Sequence, residues 1–434
     1  MIPPTSAPPR LRVTTREVDA IDDVLAYTDP SSPLYWMRRG DGIAGLGVVM
    51  SVSAGGWPGG DAAPAAPRST QFAHSWRAIA DAAEIDDEVS LPGTGLVAFG
   101  AFAFDDDSAR SSVLIVPRLI VGRRGGRSWV THIEGIGDDV NLDAQPIEYG
   151  PHWSATLGPG TQNPERYQAA VRKGLDAIAA GEVGKVVLAR DLVGTVPIGS
   201  DLRRLARALA TGYPDCWTYA VDGIIGASPE TLVTVSGGTV TARVLAGTAP
   251  RGADADADTA TSLALATSAK DQDEHQYAVQ SVLASLRPHT SALAASEQPF
   301  TLKLPNVFHL ATDVEGTLSG GASALDLVGV LHPTAAVAGT PTSAALDLIR
   351  HLEPFDRGRY AGPVGWVDAH GDGEWAIALR CAQFGGEPAR RFADYSDTIP
   401  VTAHAGAGIV AGSDPESELL ETRVKFRPII DALA

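Results

Sequence analysis

Apolar positions along the chain switch between a period near 3.6 and a period of two, and the switches mark its elements. From about residue 160 the pattern is clear. Asn163-Pro164 opens a helix that runs to about Ala180 and is ended by Gly181. Lys185-Val186-Val187-Leu188-Ala189-Arg190 then reads as a strand rich in β-branched residues. A helix is expected near Asp201–Ala210, followed by strands at Cys216–Val221 and Thr231–Val235. The latter turns at Gly237-Gly238 into Thr239–Leu245, a hairpin. Helices over about Lys270–Leu286, Ala324–Leu331 and Ser343–Leu352 come between strands near Asn306–Thr312, Pro363–Val367, Trp375–Ala382 and Val401–Val410. A final helix follows Gly412, capped by Ser413 or Asp414 with Pro415 in its opening turn. Leu420 and Val424 are expected on its core side.

The first 150 residues are less periodic. Residues Ala54–Pro67 read as a surface loop, Phe72–Ala83 as a short helix and Gly95–Phe104 as a buried strand. Val113–Val121 and Ser128–Ile133 form a hairpin about Gly122–Arg127. Residues 1–15 lack the charged and apolar regions of a signal peptide and read as a disordered tail. No internal repeat is evident. Hairpins dominate, with helices between them and not one crossover per strand, so the fold class is α+β with largely antiparallel sheets.

Composition narrows the function. The 434 residues are 44% apolar and 20% charged, ordinary for a globular protein, and carry a net charge of -18. That balance argues against nucleic acid and anionic membrane as partners. It also means that an anionic substrate needs a locally positive site or a metal. The two cysteines, Cys216 and Cys381, lie far apart without metal-ligand spacing, so a reduced, cytoplasmic protein is expected. No apolar run reaches the length of a membrane span.

Several residues stand out chemically. Glu418, Glu421 and Lys425 share one side of the last helix, and Asp271 and Glu274 share a face of the helix whose buried stripe is Val279, Val282, Leu283 and Leu286. Alone, either set is weak evidence, and the last helix reads first as an exposed, salt-bridged one. Together, two carboxylate-bearing helices can hold Mg²⁺, a hard ion that takes oxygen ligands. His309 and His404 belong to no compact ligand cluster, which argues against zinc. Lys185 begins an apolar strand with no acid nearby in sequence. It either snorkels to solvent or, desolvated beside cations, serves as a base. Glu230, in Ala227-Ser228-Pro229-Glu230, is either an exposed strand-start residue or a buried acid able to donate a proton. Arg380, within Ile377-Ala378-Leu379-Arg380-Cys381-Ala382, needs an anionic partner, either a structural carboxylate or a substrate's.

The ordered set of these stretches resembles the chorismate-utilising enzymes, and within them the isochorismate synthase branch. The stretches are Gly184–Arg190, Ala227–Glu230, Leu245-Ala246-Gly247-Thr248 and Lys270-Asp271 with Glu274-His275. Leu331–Val337, Gly358–Pro363, Ala405–Val410 and Glu418 with Glu421 and Lys425 complete the series. The likeness covers roughly residues 90–430, with its sharp motifs after 160. It implies one domain over 16–434, with a variable part at 16–160 and the motif-bearing part at 161–434. Two large antiparallel sheets would pack face to face, with helices outside and the site in a cleft between. It implies Mg²⁺-dependent conversion of chorismate to isochorismate, for menaquinone or siderophore biosynthesis, by a monomer. Lys185 resembles the base that activates water for attack at C2, and Glu230 the acid that protonates the departing C4 hydroxyl. Glu274 and Glu421 resemble metal ligands, supported by Asp271 and Glu418 through waters; relatives often carry glutamate where this chain has Asp271. Arg380, the Gly406 N–H, Tyr360 and Lys425 resemble holders of the substrate carboxylates. Thr248 and His309 resemble pocket-lining residues, and Ala336 and Val337 match the position that lies against the ring. Ala246 stands where amine-delivering relatives of aminodeoxychorismate synthase place a nucleophilic lysine, which argues against that chemistry and anthranilate formation. Salicylate synthase, which eliminates pyruvate from bound isochorismate, shares Lys185, Glu230 and the metal set and is the alternative. A non-catalytic binding protein would need none of them. Residues 385–399, with Arg390-Arg391, resemble an insertion.

Overall fold

The computed structural model describes residues 8–54, 67–135, 143–304, 307–386 and 397–434. Among these, two sheets of thirteen and ten strands carry eight α-helices. Every strand pairing is antiparallel except that of Leu11–Val18 with Glu84–Asp87. The expected α+β architecture is therefore the observed one.

The helices are α1 (Arg68–Ala82), α2 (Pro164–Ala179), α3 (Arg203–Gly212), α4 (Ala255–Thr267), α5 (Ala269–Leu286), α6 (Ala324–Leu331), α7 (Thr342–Leu352) and α8 (Pro415–Leu433). Their starts follow from capping chemistry. The Asn163, Ser268 and Asp414 side chains accept from the backbone N–H groups of Arg166, Asp271 and Ser417, satisfying donors that the first turn leaves orphaned. Helix α4 was not expected; its Ala, Asp and Thr text lacks an apolar stripe, and a bidentate Arg251–Asp258 contact at 2.6 Å ties its first turn to the preceding strand. On α8 the buried side is Leu419, Thr422, Phe426, Ile429 and Leu433. Leu420 is 49% exposed, so its expected core placement is incorrect, and Val424 is half-buried. The core stripe runs through Leu419, Thr422 and Phe426 and passes beside Leu420 and Val424.

Both sheets draw strands from both halves of the chain. In the larger sheet Trp217–Val221 pairs with Leu34–Arg38, and in the smaller Pro363–Asp368 pairs with Val97–Ala101. The part labelled variable from sequence thus completes each sheet. Its tail is also shorter than expected: residues 11–15 are paired, and Leu11, Val13 and Thr15 are buried. Between the sheets lie the fully buried Trp36, Phe99, Trp129, Trp366 and Trp375. Glu374 is buried among them and is satisfied by the Trp36 and Trp366 indoles at 2.9 and 3.1 Å and by Arg124 at 2.9 Å. A second apolar cluster lies on the outer face of the larger sheet, where α3 and α8 cover Ala220, Ile225, Ala403 and Ala405.

Paired strands cross together from one sheet to the other at two corners. At one, Asp41–Leu46 and Leu119–Arg124 of the larger sheet continue as Met50–Ala54 and Ser112–Val116 of the smaller. At the other, Ile224–Ser228 and Cys381–Phe384 continue as Thr231–Ser236 and Gly373–Ile377. The same supersecondary unit therefore occurs twice, although no repeat is readable in the residues. Pro117, which lacks an N–H, lies at the first corner, so the expected Val113–Val121 strand is two strands in different sheets. Among the described residues no helix is long and apolar enough to cross a membrane.

Candidate active site

The second corner opens onto a cavity of about 380 Å³, walled by both sheets and by residues of α5 and α8. All fourteen site residues expected from sequence line it: Lys185, Glu230, Thr248, Asp271, Glu274, His309 and Ala336 with Val337, Tyr360, Arg380, Gly406, Glu418, Glu421 and Lys425.

The corner explains two of them. Pro229-Glu230 is the whole connection between strands of different sheets, so Glu230 cannot take a place in either ladder. Opposite it, the strand expected over Trp375–Ala382 is interrupted: Gly373–Ile377 and Cys381–Phe384 belong to different sheets. Arg380 is therefore not embedded in a strand as the sequence suggested. It turns the corner at φ 49°, a left-handed conformation that costs a non-glycine residue about 1 kcal/mol. The two crossings hold each other through Ala227 N–H to Arg380 O and Ile377 N–H to Glu230 O, each 3.1 Å.

Arg380 is 8% exposed, and among the described residues its guanidinium makes neither an ion pair nor a hydrogen bond. Burial lowers its pKa from the usual arginine value. A buried cation without a counter-ion is costly, and a carboxylate ligand relieves that cost. Glu230 has the complementary character. Burial raises its carboxyl from about 4.5 to about 7, against the opposing pull of Lys185, Lys425 and Arg380.

Backbone donors come from the edge of a glycine-rich strand. Thr398–Val410 runs antiparallel to Lys185–Pro197, with Ala189 opposite Gly406 and Val187 opposite Gly408. Ala189 gives its N–H to Glu353, and Val187 uses its N–H and C=O on Ala338 and Arg357, all on the far edge. In an antiparallel ladder their partners must then turn their own polar groups away, toward the cavity. Gly406 does so, its carbonyl accepting from Lys425 Nζ at 2.9 Å. A Cβ at Gly408 would lie 2.9 Å from Lys185 Cε, so a side chain there would push the end of Lys185 from its place.

On the smaller sheet, Gly247 (φ 79°) forms a bulge that shifts the register, so Thr248 pairs with His309. Thr248 Oγ1 lies 3.0 Å from His309 Nδ1, and burial first, then Arg380 and Lys425, drops the imidazole to about 3. Helix α5 is tied to this sheet by buried His275, whose ring nitrogens meet Ala246 O at 3.3 Å and Thr312 Oγ1 at 2.7 Å.

Helices α5 and α8 present oxygen anions. Glu274 binds Lys185 at 2.5 Å and Glu421 binds Lys425 at 2.6 Å, so each already holds a cation at the cavity wall. With Asp271 and Glu418 they form an all-carboxylate set whose chemistry fits a hard divalent ion. Among the described residues, no three His, Cys, Asp or Glu side chains converge closely enough to hold a metal.

Sequence reasoning missed Arg357, His404, Gly408, Asp414 and Ser417, which also line the cavity. Glycine spacing in Ala405–Val410 was the one available signal for Gly408. His404, which in the sequence suggests nothing but an isolated zinc ligand, stacks on Tyr360 with ring centroids 5.2 Å apart, and burial lowers it to about 4. Residues 387–396 of the expected insertion lie outside the described residues.

The family model described as "Chorismate binding enzyme" matches residues 5–434, and the chain belongs to that family. It is 40% identical over 282 residues to the isochorismate synthase DhbC of Bacillus subtilis, covering 62% of this chain and 68% of that protein. It is 35% identical over 373 residues to the isochorismate synthase MenF of the same organism, covering 80% and 77%. Among solved structures, the menaquinone-specific isochorismate synthase MenF of Escherichia coli superposes with a TM-score of 0.72 at 25% identity, covering 98% of this chain and 95% of that one.

Proposed function

We propose that the chain is an isochorismate synthase that converts chorismate to isochorismate for menaquinone or siderophore biosynthesis. The observation that carries this reading is the pairing in one cavity of a protonatable Glu230 with a buried Arg380 whose guanidinium makes no ion pair or hydrogen bond among the described residues. Chorismate carries two carboxylates, and Arg380, with the inward-turned Gly406 N–H and Lys425, is suited to receive them. Tyr360 and the Ala336-Val337 turn bound the ring, and Thr248 with neutral His309 closes the remaining wall.

Lys185 is paired with Glu274, so its work as a base begins once it has given up that partner and its proton; the free amine then takes a proton from water as the oxygen bonds to C2. The ring double bonds shift, and the C4–O bond breaks as Glu230 donates its proton, so the C4 hydroxyl leaves as water. Atoms balance, with one water added and one lost. The protonated Lys185 and ionised Glu230 then reset by exchange with solvent. A pKa near 7 suits Glu230 to this donor role, since at neutral pH a large fraction is protonated. Magnesium, held by Glu274 and Glu421 with Asp271 and Glu418 in support, would supply charge neutralisation at a substrate carboxylate and polarise the diene.

Incubating the purified protein with chorismate and Mg²⁺ and separating the products tests the reading. Isochorismate is expected; salicylate with pyruvate, or anthranilate with added ammonia, would replace it with a sister chemistry.

A further inference from the structure

The strand that carries Lys185 is only partly covered on its second edge. Thr398–Val410 pairs along one side throughout, but the other side has Gly339–Thr340 at Lys185-Val186 and Gly158–Pro159 at Leu192-Val193, with a gap between. Side chains take the place of a strand across that gap: Gln162 gives its Nε2 to the Ala189 carbonyl at 3.0 Å, and two charged residues do the rest. Glu353 Oε1 accepts from the Ala189 N–H at 2.7 Å, and Arg357 Nη2 donates to the Val187 carbonyl at 2.8 Å. The two are bonded to each other at 2.6 and 2.8 Å, with side chains 2% and 3% exposed. Arg357 also donates to the Val337 carbonyl at 2.9 Å and lies over the rings of Phe104 and Tyr360, 4.4 and 6.0 Å from their centroids.

One buried ion pair therefore binds three segments that face the cavity: the strand of Lys185, the turn of Ala336 and Val337, and Tyr360. We propose that Glu353 and Arg357 are positioning residues that fix Lys185 relative to the surface on which the substrate ring lies. The inference rests on the isochorismate synthase reading. Arg357 lies in the cavity wall, yet its donors are directed to Glu353, Val187 and Val337, so it acts through the backbone and not as a second anchor for the substrate. Lys185 and Val187 point to the same face of their strand, so displacement of Val187 carries the amine with it. Misplacing a reacting group by an ångström costs on the order of a hundredfold in rate.

Two variants test this. Arg357→Lys keeps the charge beside Glu353 but loses the planar fork that reaches two carbonyls at once. Glu353→Met with Arg357→Met removes both charges together and leaves neither buried alone. Thermal melting establishes that each variant is folded, and steady-state kinetics on chorismate follow. The expected result is a kcat lower by about ten- to a hundredfold with KM within about threefold of the parent, the split that marks a lost transition-state alignment. A folded variant with parental kcat, or a loss confined to KM, overturns the proposal. If neither variant folds, the pair belongs to folding and the positioning role fails. A parent protein without turnover would strike the isochorismate reading itself, a different failure.

Discussion

Replacing Glu230 by glutamine should stabilise the protein while silencing it, and the two effects should depart from each other with pH. The carboxyl ionises near 4.5 in an ordinary setting and near 7 in the folded chain, because burial penalises its charged form. Below pH 4.5 both folded and unfolded chains carry it protonated, and the residue is neutral toward stability. As pH rises from 4.5 to 7 the unfolded chain loses the proton first, so the folded state grows less stable by comparison. Above 7 the penalty is constant. A shift of about 2.5 pH units at 1.36 kcal/mol per unit gives a ceiling near 3 kcal/mol. Glutamine has the same shape without the titration. At pH 8, Glu230→Gln should therefore melt a few degrees above the parent, and at pH 4.5 the two curves should coincide. Turnover of chorismate should fall by about a hundredfold or more, the usual worth of a general acid. Equal melting at pH 8, or a variant within a few-fold of parental turnover, would refute the assignment of Glu230 as a desolvated acid.

Other residues give sharper contrasts. Arg380→Met should raise KM for chorismate by at least about tenfold, the loss of a charge-assisted bidentate contact being worth over 1.4 kcal/mol. It should not lower the melting temperature of the ligand-free protein, since the buried charge has no protein counter-ion among the described residues; a destabilised variant would show a hidden ion pair. Gly408→Ala should cut kcat and leave melting nearly unchanged, because the new methyl meets the movable end of Lys185 and no backbone atom. Unaltered kcat would mean that Lys185 has another way to its place. EDTA should abolish turnover and Mg²⁺ restore it, while Glu274→Gln should raise the Mg²⁺ needed for half-activity; a titration midpoint unmoved by that substitution would remove Glu274 from the ligand set.

The legibility of this chain follows a physical division. Features set by local chemistry were readable. Asn163-Pro164 and Asp414-Pro415 cap their helices, Gly237-Gly238 turns its hairpin, and acidic residues spaced by three bring their carboxylates to one helix face. Features set by the meeting of two sheets were not. Trp375–Ala382 is apolar but for Arg380 and looks like a single strand, because its break depends on the backbone of Arg380 turning left-handed against a neighbouring crossing. Glu353 and Arg357 stand beyond the end of α7, where their spacing signals nothing, and gain their role only from a gap in a distant strand's edge. On α8 the alternation around Leu419 and Leu420 fits either residue inside, and packing against the sheet chose the first. The site itself was accessible through ordered motifs because it is assembled from strand ends, corners and two helices, each with its own small-residue or acidic signature.

In the proposed reaction Lys185 delivers solvent water to C2 while Glu230 expels the C4 hydroxyl. Running the reaction in H₂¹⁸O and locating the label in isochorismate by mass spectrometry tests it most directly. One ¹⁸O at C2, with the original C4 oxygen lost to solvent, is the predicted result. Isochorismate that keeps the unlabelled C4 oxygen, now at C2, would mean migration of the hydroxyl without solvent water and would contradict the assigned base and acid.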